Sequence, residues 1–222
     1  GQLLRQLSRL VATRSDAVIV VGDHMRAHVP SSTPIHVIPS GLDLDSFKRL
    51  PQMEARRRLG LPEGERLVLF ACNPADERKG FDLARRTVEI LNERLPAKLI
   101  VAWGVPHAEI PVYMSACDVF VFTSSQEGSP NVVKEALACD LPVVSVAVGD
   151  VRQRLQGVEG CEVCIDGRPE TIPAALERTL RRGGRIRGRE AVQCLDERLL
   201  TEKVIDIYWS VAGKAPAPEG KN

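Results

Sequence analysis

The sequence of 222 residues contains no apolar run near the ~20 residues that a membrane-spanning helix needs. No secretory leader precedes its first predicted strand. It also has almost no excess of charge, because 30 Lys and Arg residues stand against 29 Asp and Glu residues. A net charge of +1 gives no general attraction to nucleic acid or to membranes. These absences favour a cytoplasmic protein that has no nucleic-acid partner.

Several catalytic and metal-binding motifs are missing as well. The sequence has no G-x-x-x-x-G-K-[ST] loop, no G-x-G-x-x-G fingerprint and no G-x-S-x-G elbow. Cys161 and Cys164 form one lone C-x-x-C pair, and His24 and His28 have no third ligand at a suitable spacing. We therefore expect neither a metal site nor a cofactor, and we expect the six cysteines to be reduced and mostly buried.

What the sequence does contain is a regular alternation of strands and helices. Apolar runs rich in β-branched residues predict buried strands at 66–71, 97–103 and 118–124. Helical periodicity predicts intervening helices, most clearly at 81–95 and 130–139. This pattern is typical of an α/β fold, a Rossmann-like parallel sheet with helices on both faces.

The sequence also suggests how the chain is divided. Residues 1–38 hold one strand with flanking helices, one of them predicted to be capped by Asp23, and we interpret them as a remnant of a partner domain. Residues 39–212 are the predicted Rossmann-like domain, and the Pro- and Gly-rich residues 213–222 are predicted to be disordered. Because the chain starts at Gly1, without Met and inside a predicted helix, we expect it to be a fragment.

The stretch SSQEGSPNVVKEA, residues 124–136, predicts an anion site. Ligands of open parallel sheets bind outside the carboxyl ends of the strands, where this loop lies. Ser129 is expected to be the N-cap of a helix with Pro130 in its first position. The positive end of that helix suits phosphate, with N–H donors at Asn131 and Val132.

Two glutamates flank this predicted anion site. Glu127 lies in the loop and Glu135 lies on the second turn of the helix, so each carboxylate could accept hydrogen bonds from hydroxyl groups. A nucleotide sugar has hydroxyl groups at both ends and phosphates between them. The alternative interpretation is a pair of solvated glutamates, since two acidic residues at this spacing are common by chance.

Other candidate residues have simpler alternatives. Lys79 and Arg78 could neutralise a diphosphate, although both could be ordinary surface residues. Trp103 could offer a ledge for a base, but we expect it to pack in the core. The basic stretch 181–189 predicts a solvated helix–loop–helix junction. Its alternative is contact with anionic lipid headgroups, which would place the protein at the inner face of a membrane.

Three stretches carry a resemblance to a known family. They read MSACDVFVFTSSQEGSPNVVKEALACDLPVVSVAVGDV, HVIPSGLDLDSF and ERKGFDLA. They resemble the C-terminal, donor-binding half of family 4 glycosyltransferases, which have the GT-B fold. The variant EGSPNVVKEA is similar to a branch that acts on bacterial surface polysaccharides, including teichuronic-acid-type transferases.

The resemblance implies an activity. Members transfer a sugar from a nucleoside-diphosphate sugar, here a UDP- or GDP-sugar, to a glycan or lipid-linked acceptor, with retention at the anomeric carbon and commonly without a metal. The matching positions imply that Glu127 contacts the donor sugar, Glu135 the ribose and Lys79 the diphosphate. The backbone at Val105 would meet the base. The amides of the loop and helix start would also bind the donor, at Gly128, Ser129, Asn131 and Val132, and Gly41 lies in the stretch that resembles the interdomain hinge.

The sequence also departs from the family. Cys72 and Asn73 stand where the family often has Gly-Arg, which puts phosphate binding in doubt unless Arg78 substitutes. The stretch after LIVAW is short, so one strand–helix unit is expected to be missing. The N-terminal domain that carries the acceptor pocket is almost absent, so the chain alone should turn over little. The alternatives are a GT-B-type nucleotide-sugar 2-epimerase and a non-catalytic Rossmann-like nucleotide-binding module, which Asn73 favours.

Overall fold

The computed structural model describes residues 2–30, 32–164, 168 and 170–213, without the side chains of residues 2–5. The tail predicted to be disordered, 213–222, lies outside the described residues except for Gly213. Contacts divide the chain into two compact units, residues 42–194 and residues 1–41 together with 195–222. The last helix thus groups with the N-terminal segment, whereas the sequence suggested a domain at 39–212. In the described part, no helix is both long and apolar enough to cross a membrane.

The smaller unit contains two short parallel strands, which pair with each other, together with helices. Its elements are α1 (Gln2–Thr13), β1 (Val18–Val20), a 3-10 helix (Asp23–His28), β2 (Ile35–Val37) and α9 (Glu197–Ala212). The prediction that Asp23 is a helix cap was wrong. Gly22 precedes the 3-10 helix, and the Asp23 carboxylate instead accepts a hydrogen bond from Arg26 Nε at 2.7 Å. The arginine one turn later binds the carboxylate that would otherwise cap the turn.

The larger unit is built on a sheet of parallel strands. They are β3 (Leu67–Phe70), β4 (Lys98–Val101), β5 (Val119–Phe122), β6 (Val143–Val146) and β7 (Glu162–Cys164), in the order β4-β3-β5-β6-β7. Every residue of β3 and β5 is buried, which explains their continuous apolar sequences. The chain leaves β3 toward one side and returns on the other, so the sheet has its topological switch point between β3 and β5.

Helices connect and flank these strands, so the predicted Rossmann-like α/β fold is confirmed. The helices are α2 (Gln52–Leu59), α3 (Phe81–Asn92), α4 (Ile110–Ala116), α5 (Asn131–Ala138), α6 (Val151–Leu155), α7 (Thr171–Arg182) and α8 (Gly188–Val192). Gly60 ends α2 in the left-handed conformation, with φ of 63°. Residues 102–109 between β4 and α4 hold a 3-10 turn and no strand, in keeping with the short connection in the sequence.

The amino end of the sheet is fixed by a buried ion pair. Arg56 of α2, which is 3% exposed, donates from its Nη2 to Asp118 Oδ2 at 2.9 Å. The other Arg56 nitrogens donate to four backbone carbonyls, those of Ala116, Pro62, Glu63 and Glu65. The Asp118 carboxylate also accepts the N–H of Leu67 and the amide of Gln52. The pair therefore joins α2 to the first residues of β3 and β5.

The basic stretch 181–189 is the predicted helix–loop–helix junction, but not all of it is solvated. Arg181 and Arg182 are exposed as expected. Arg185 instead donates to the carbonyls of Met114 and Ser115 at the end of α4, and burial lowers its pKa. Arg189 donates to the carbonyls of Leu44, Phe47 and Ala138. These two side chains stabilise the ends of helices and loops, a use that leaves them less available to lipid headgroups.

All six cysteines are free thiols. Cys72, Cys117, Cys139 and Cys164 are buried, Cys161 is partly buried and Cys194 is exposed. Burial raises the pKa of Cys139 to about 12 and that of Cys161 to about 11. These thiols therefore stay protonated at neutral pH, and they behave as small apolar side chains.

Candidate functional site

Two loops meet at the switch point of the sheet. The loop after β3 runs through a 3-10 turn at Glu77–Lys79, and the loop after β5 starts at Thr123. Thr123 Oγ1 donates to the carbonyls of Lys79 at 3.1 Å and Gly80 at 2.9 Å. Gly80 has φ of 69°, and a Cβ there would lie 2.3 Å from the Thr123 carbonyl oxygen. Only glycine allows this approach, which fixes the first loop against the second.

An ion pair joins the same two loops. Lys79 Nζ donates to Glu127 Oε1 at 2.7 Å, and the two side chains are only 29% and 14% exposed. Water screens a half-buried pair less than a surface pair, so its charges act strongly on their surroundings. The sequence predicted both residues as donor contacts, and the structure brings them together.

Glu135 approaches the ion pair from α5. Its side chain is 13% exposed, and His107 Nε2 lies 3.9 Å from its Oε1. Burial raises the pKa of Glu135, an effect that His107 and Lys134 partly offset. The carboxylate is thus a buried acceptor, and among the described residues His107 is the cationic group within ion-pair distance of it.

Cys72, which follows β3, responds electrostatically to Lys79, Glu127 and Glu135. Burial, opposed by Lys79 and reinforced by the carboxylates of Glu127 and Glu135, raises the pKa of the Cys72 thiol to about 12. All three charges therefore lie within electrostatic reach of one sulfur atom. The alternative of two separate, solvated glutamates does not fit this arrangement, and the uncharged thiol adds no further negative charge.

The start of α5 differs from its predicted form. Pro130, with φ of −68° and ψ of 119°, is the residue before the first helical turn, and the helix has no side-chain cap. Ser129 was predicted as the cap, but its Oγ donates to Asp150 Oδ2 at 2.8 Å instead. The prediction was wrong because Pro130, whose ψ is not helical, occupies the capping position, so Ser129 lies one residue too early. In the described structure the N–H groups of Asn131 and Val132 have no hydrogen-bond acceptor.

Arg78 and Asn73 are held within their own loop. Arg78 donates through Nε and Nη2 to the two carboxylate oxygens of Asp76, at 3.0 and 2.8 Å, and its side chain is 66% exposed. These bonds lower the pKa of Asp76. Asn73 Oδ1 accepts the N–H of Ala75 at 2.9 Å. Both predicted donor residues thus have structural partners, and Lys79 is the cation of this loop that faces Glu127.

A cavity of about 340 Å³ lies beside Glu135. Its lining includes Trp103, Val105, His107 and Val132. Trp103 was expected in the core, but it is 55% exposed. Val105, which the resemblance gives to the base, therefore lies in the same cavity as Glu135.

Gly41 and Gly128 were predicted donor residues with different surroundings. Gly41 lies in the smaller unit, where a Cβ would come 2.7 Å from Cα of Glu197. That close approach alone accounts for its being glycine. Gly128 lies in the site loop, and its carbonyl accepts the N–H of Asp150 at 3.1 Å.

Sequence reasoning missed two charged residues behind the site. Asp150 is 5% exposed and bonds both Ser129 and Arg154. Lys134 is 1% exposed and donates from Nζ to Asn131 Oδ1 at 3.0 Å. One available signal was a lysine flanked by apolar residues in NVVKEAL, and another was the acidic residue after Gly149.

Comparison with known proteins agrees with the fold and with the site stretch. Residues 97–182 match the family described as Glycosyl transferases group 1. The chain is 32% identical over 218 residues to a D-inositol 3-phosphate glycosyltransferase of Geodermatophilus obscurus, which covers 82% of this chain and 47% of the relative. It is 35% identical over 132 residues to a putative teichuronic acid biosynthesis glycosyltransferase of Bacillus subtilis, which covers 52% of this chain and 34% of the relative.

A solved structure gives the same result for the fold. HepE of Anabaena in complex with UDP-glucose matches with a TM-score of 0.77 and 18% identity, over 95% of this chain and 68% of that protein. The chain spans less than half the length of the two curated relatives named above. The resemblance to glycosyltransferases read from the sequence is confirmed by the family match and by both curated relatives, and the solved structure shares the fold of this chain.

Proposed function

We propose that this chain binds the nucleoside-diphosphate-sugar donor of a retaining glycosyltransferase, which transfers the sugar to a glycan or lipid-linked acceptor. The observation that carries the proposal is the half-buried Lys79–Glu127 ion pair together with the buried Glu135 on α5, a helix whose start has no side-chain cap. This cluster lies at the switch point of a parallel sheet, where ligands of such folds bind.

The diphosphate would lie between Lys79 and the start of α5. The Lys79 ammonium has three donors, so it can keep Glu127 and still bind a phosphate oxygen. The N–H groups of Asn131 and Val132 supply neutral donors, and the helix dipole favours negative charge at that end. These groups would stabilise the departing diphosphate as its charge develops during transfer.

The nucleoside would lie toward Glu135. Its buried carboxylate can accept both ribose hydroxyl groups, and the adjoining cavity beside Val105 and Trp103 has an apolar wall for the base. HepE was solved with UDP-glucose, which supports a UDP-sugar, while the chain's own residues leave a GDP-sugar open. Glu127, on the far side of Lys79, would meet the sugar hydroxyl groups.

Isothermal titration calorimetry with UDP and with GDP tests this proposal. We expect one of the two to bind the 222-residue chain, with Glu135→Gln weakening the affinity at least about tenfold through loss of a charge-assisted acceptor. Glu54→Gln, an exposed change on α2, is the matched control and should leave binding unchanged. In the full-length enzyme, Glu127→Gln should mainly lower kcat. No binding of either nucleotide at millimolar concentration would contradict the proposal.

One observation favours a second candidate, a nucleotide-binding module without catalysis. Asn73 stands where the family often has arginine, and the guanidinium of Arg78 is bound to Asp76. The loop after β3 therefore offers Lys79 as its cation for a diphosphate, where the family resemblance implies an additional arginine. Nucleotide binding without sugar transfer by the full-length protein would support this candidate over the first.

A further inference from the structure

A buried carboxylate lies directly behind the start of α5. Asp150 follows β6, and its Oδ2 accepts hydrogen bonds from Ser129 Oγ at 2.8 Å and Arg154 Nε at 2.9 Å. Its Oδ1 is buried and has no partner in the described structure. A buried acceptor without a partner costs stability, so its retention requires an explanation other than folding.

The backbone beside this carboxylate fixes the direction of a peptide group. The Asp150 N–H donates to the carbonyl of Gly128 at 3.1 Å. Because a trans peptide is planar, the carbonyl of Gly128 and the N–H of Ser129 point in opposite directions. The Ser129 N–H is therefore directed away from Asp150, and in the described structure no acceptor binds it.

Gly149 holds the two loops in contact. It has φ of 54°, and a Cβ there would lie 2.5 Å from the carbonyl oxygen of Gly128 and 2.9 Å from that of Glu127. Any larger residue would push the loop of residues 127–129 away. The position of that loop relative to Asp150 is thus set by backbone contact, independently of the carboxylate.

The side-chain bond from Ser129 matters because serine is among the best helix caps. A free Ser129 hydroxyl, one residue before Pro130, could accept the N–H of Asn131 or Val132. Such a bond would occupy the donors that an anion needs. Bound to Asp150, the hydroxyl is held away, and α5 has no side-chain cap.

We propose that Asp150 is a positioning residue that keeps Ser129 from capping α5, so that the N–H groups at the helix start remain available to the diphosphate. This inference rests on the proposed function, because it needs a diphosphate ligand. In this proposal Asp150 acts on the ligand site through its hydrogen bond with Ser129.

The proposal and a simple charge argument predict opposite changes in diphosphate affinity when Asp150 is removed. Removing an acidic side chain near an anion site should tighten diphosphate binding through charge alone. Release of the Ser129 hydroxyl from Asp150 should weaken diphosphate binding instead. Formation of a serine cap changes an equilibrium constant by about 2- to 30-fold. We expect this effect on nucleotide affinity to exceed the effect of the lost charge.

A double-mutant cycle with UDP and GDP calorimetry tests the inference. Asp150→Ala should weaken nucleotide binding by about tenfold. The double variant S129A/D150A has no hydroxyl left to cap the helix, so it should bind within about threefold of Ser129→Ala. A purely structural role for Asp150 would leave the double variant as weak as Asp150→Ala or weaker, which would overturn the proposal.

A second variant keeps the test decisive if Asp150→Ala does not fold. Asp150→Asn keeps an acceptor for Ser129 and removes the charge, so we expect binding within about threefold of the unmodified chain. A tenfold change in either direction would overturn the proposal. If the unmodified chain binds neither nucleotide, the proposed function fails and this inference fails with it. If it binds and Asp150→Ala binds equally well or more tightly, this inference alone fails.

Discussion

The charged groups of the five-stranded sheet are paired differently at its amino edge, where the strands begin, and at its carboxyl edge, where they end. At the amino edge, all three guanidinium nitrogens of Arg56 and both carboxylate oxygens of Asp118 have partners. At the carboxyl edge, Lys79 and Glu127 share one bond, His107 lies 3.9 Å from the carboxylate of Glu135, and the start of α5 has no side-chain cap. The Arg56–Asp118 pair therefore stabilises the fold, whereas Lys79, Glu127 and Glu135 keep hydrogen-bonding capacity that a ligand could use.

The largest loss of stability is expected when the buried ion pair at the amino edge is removed. Arg56→Met should lower the free energy of unfolding by about 3 kcal/mol or more, because it leaves a carboxylate and four carbonyls without their donor. Arg58→Met, an exposed change on the same helix, should cost less than about 1 kcal/mol. Urea unfolding measures both. Equal losses would remove the distinction between the two edges.

A smaller loss is expected from the backbone at the carboxyl edge. Gly80→Ala and Gly104→Ala both place a side chain at positive φ, which costs roughly 1–2 kcal/mol. Gly80→Ala also brings Cβ to 2.3 Å from the Thr123 carbonyl, whereas nothing lies within 4 Å at Gly104. We therefore expect Gly80→Ala to be the more destabilising by about 1 kcal/mol or more, as measured by thermal unfolding. Equal melting temperatures would contradict the close approach of the two loops.

Lys134 offers a pH-dependent comparison. Burial lowers the pKa of this lysine to about 8, so above pH 8 the unfolded chain binds more protons than the folded chain. Between pH 8 and 9, the folded protein should therefore gain about 1 kcal/mol relative to Lys134→Met. Urea unfolding of both proteins at the two pH values gives the difference. A constant difference would mean that the lysine is not desolvated.

The smallest effect belongs to Glu135. Burial raises the pKa of its carboxyl, so the charged form at pH 7 lowers the free energy of unfolding relative to a neutral side chain. Glu135→Gln should therefore stabilise the fold at pH 7. The gain should shrink as the pH falls from 7 toward 4.5. If this variant clearly destabilised the fold, Glu135 would be a group that stabilises the fold, as Arg56 and Asp118 are at the amino edge.

Local patterns in the sequence were sufficient for most of the fold. The buried strands β3 and β5 follow from uninterrupted apolar runs, and α3 follows from its periodicity. The short helix α8 was missed because its five residues are too few for a periodic signal. The positions of Lys79, Glu127 and Glu135 near one another could be anticipated, since each follows the carboxyl end of a strand or begins the helix after it.

The rest could not be predicted because it depends on partners distant in sequence. Ser129 satisfies every local rule for a helix cap, yet Asp150, 21 residues later, binds its hydroxyl. Arg185 and Arg189 look like surface charges in a basic stretch, yet their side chains donate to carbonyls 51 to 145 residues away. Such contacts become visible only once the strand order is known.

The distribution of thiols has a practical consequence. Cys194 is exposed while the other five cysteines are buried or partly buried, and burial keeps Cys72 and Cys139 protonated with pKa values of about 12. A maleimide fluorophore should therefore attach at one known position of the native polypeptide, without prior removal of any cysteine. Nucleotide-induced changes could then be followed by fluorescence in the unmodified sequence.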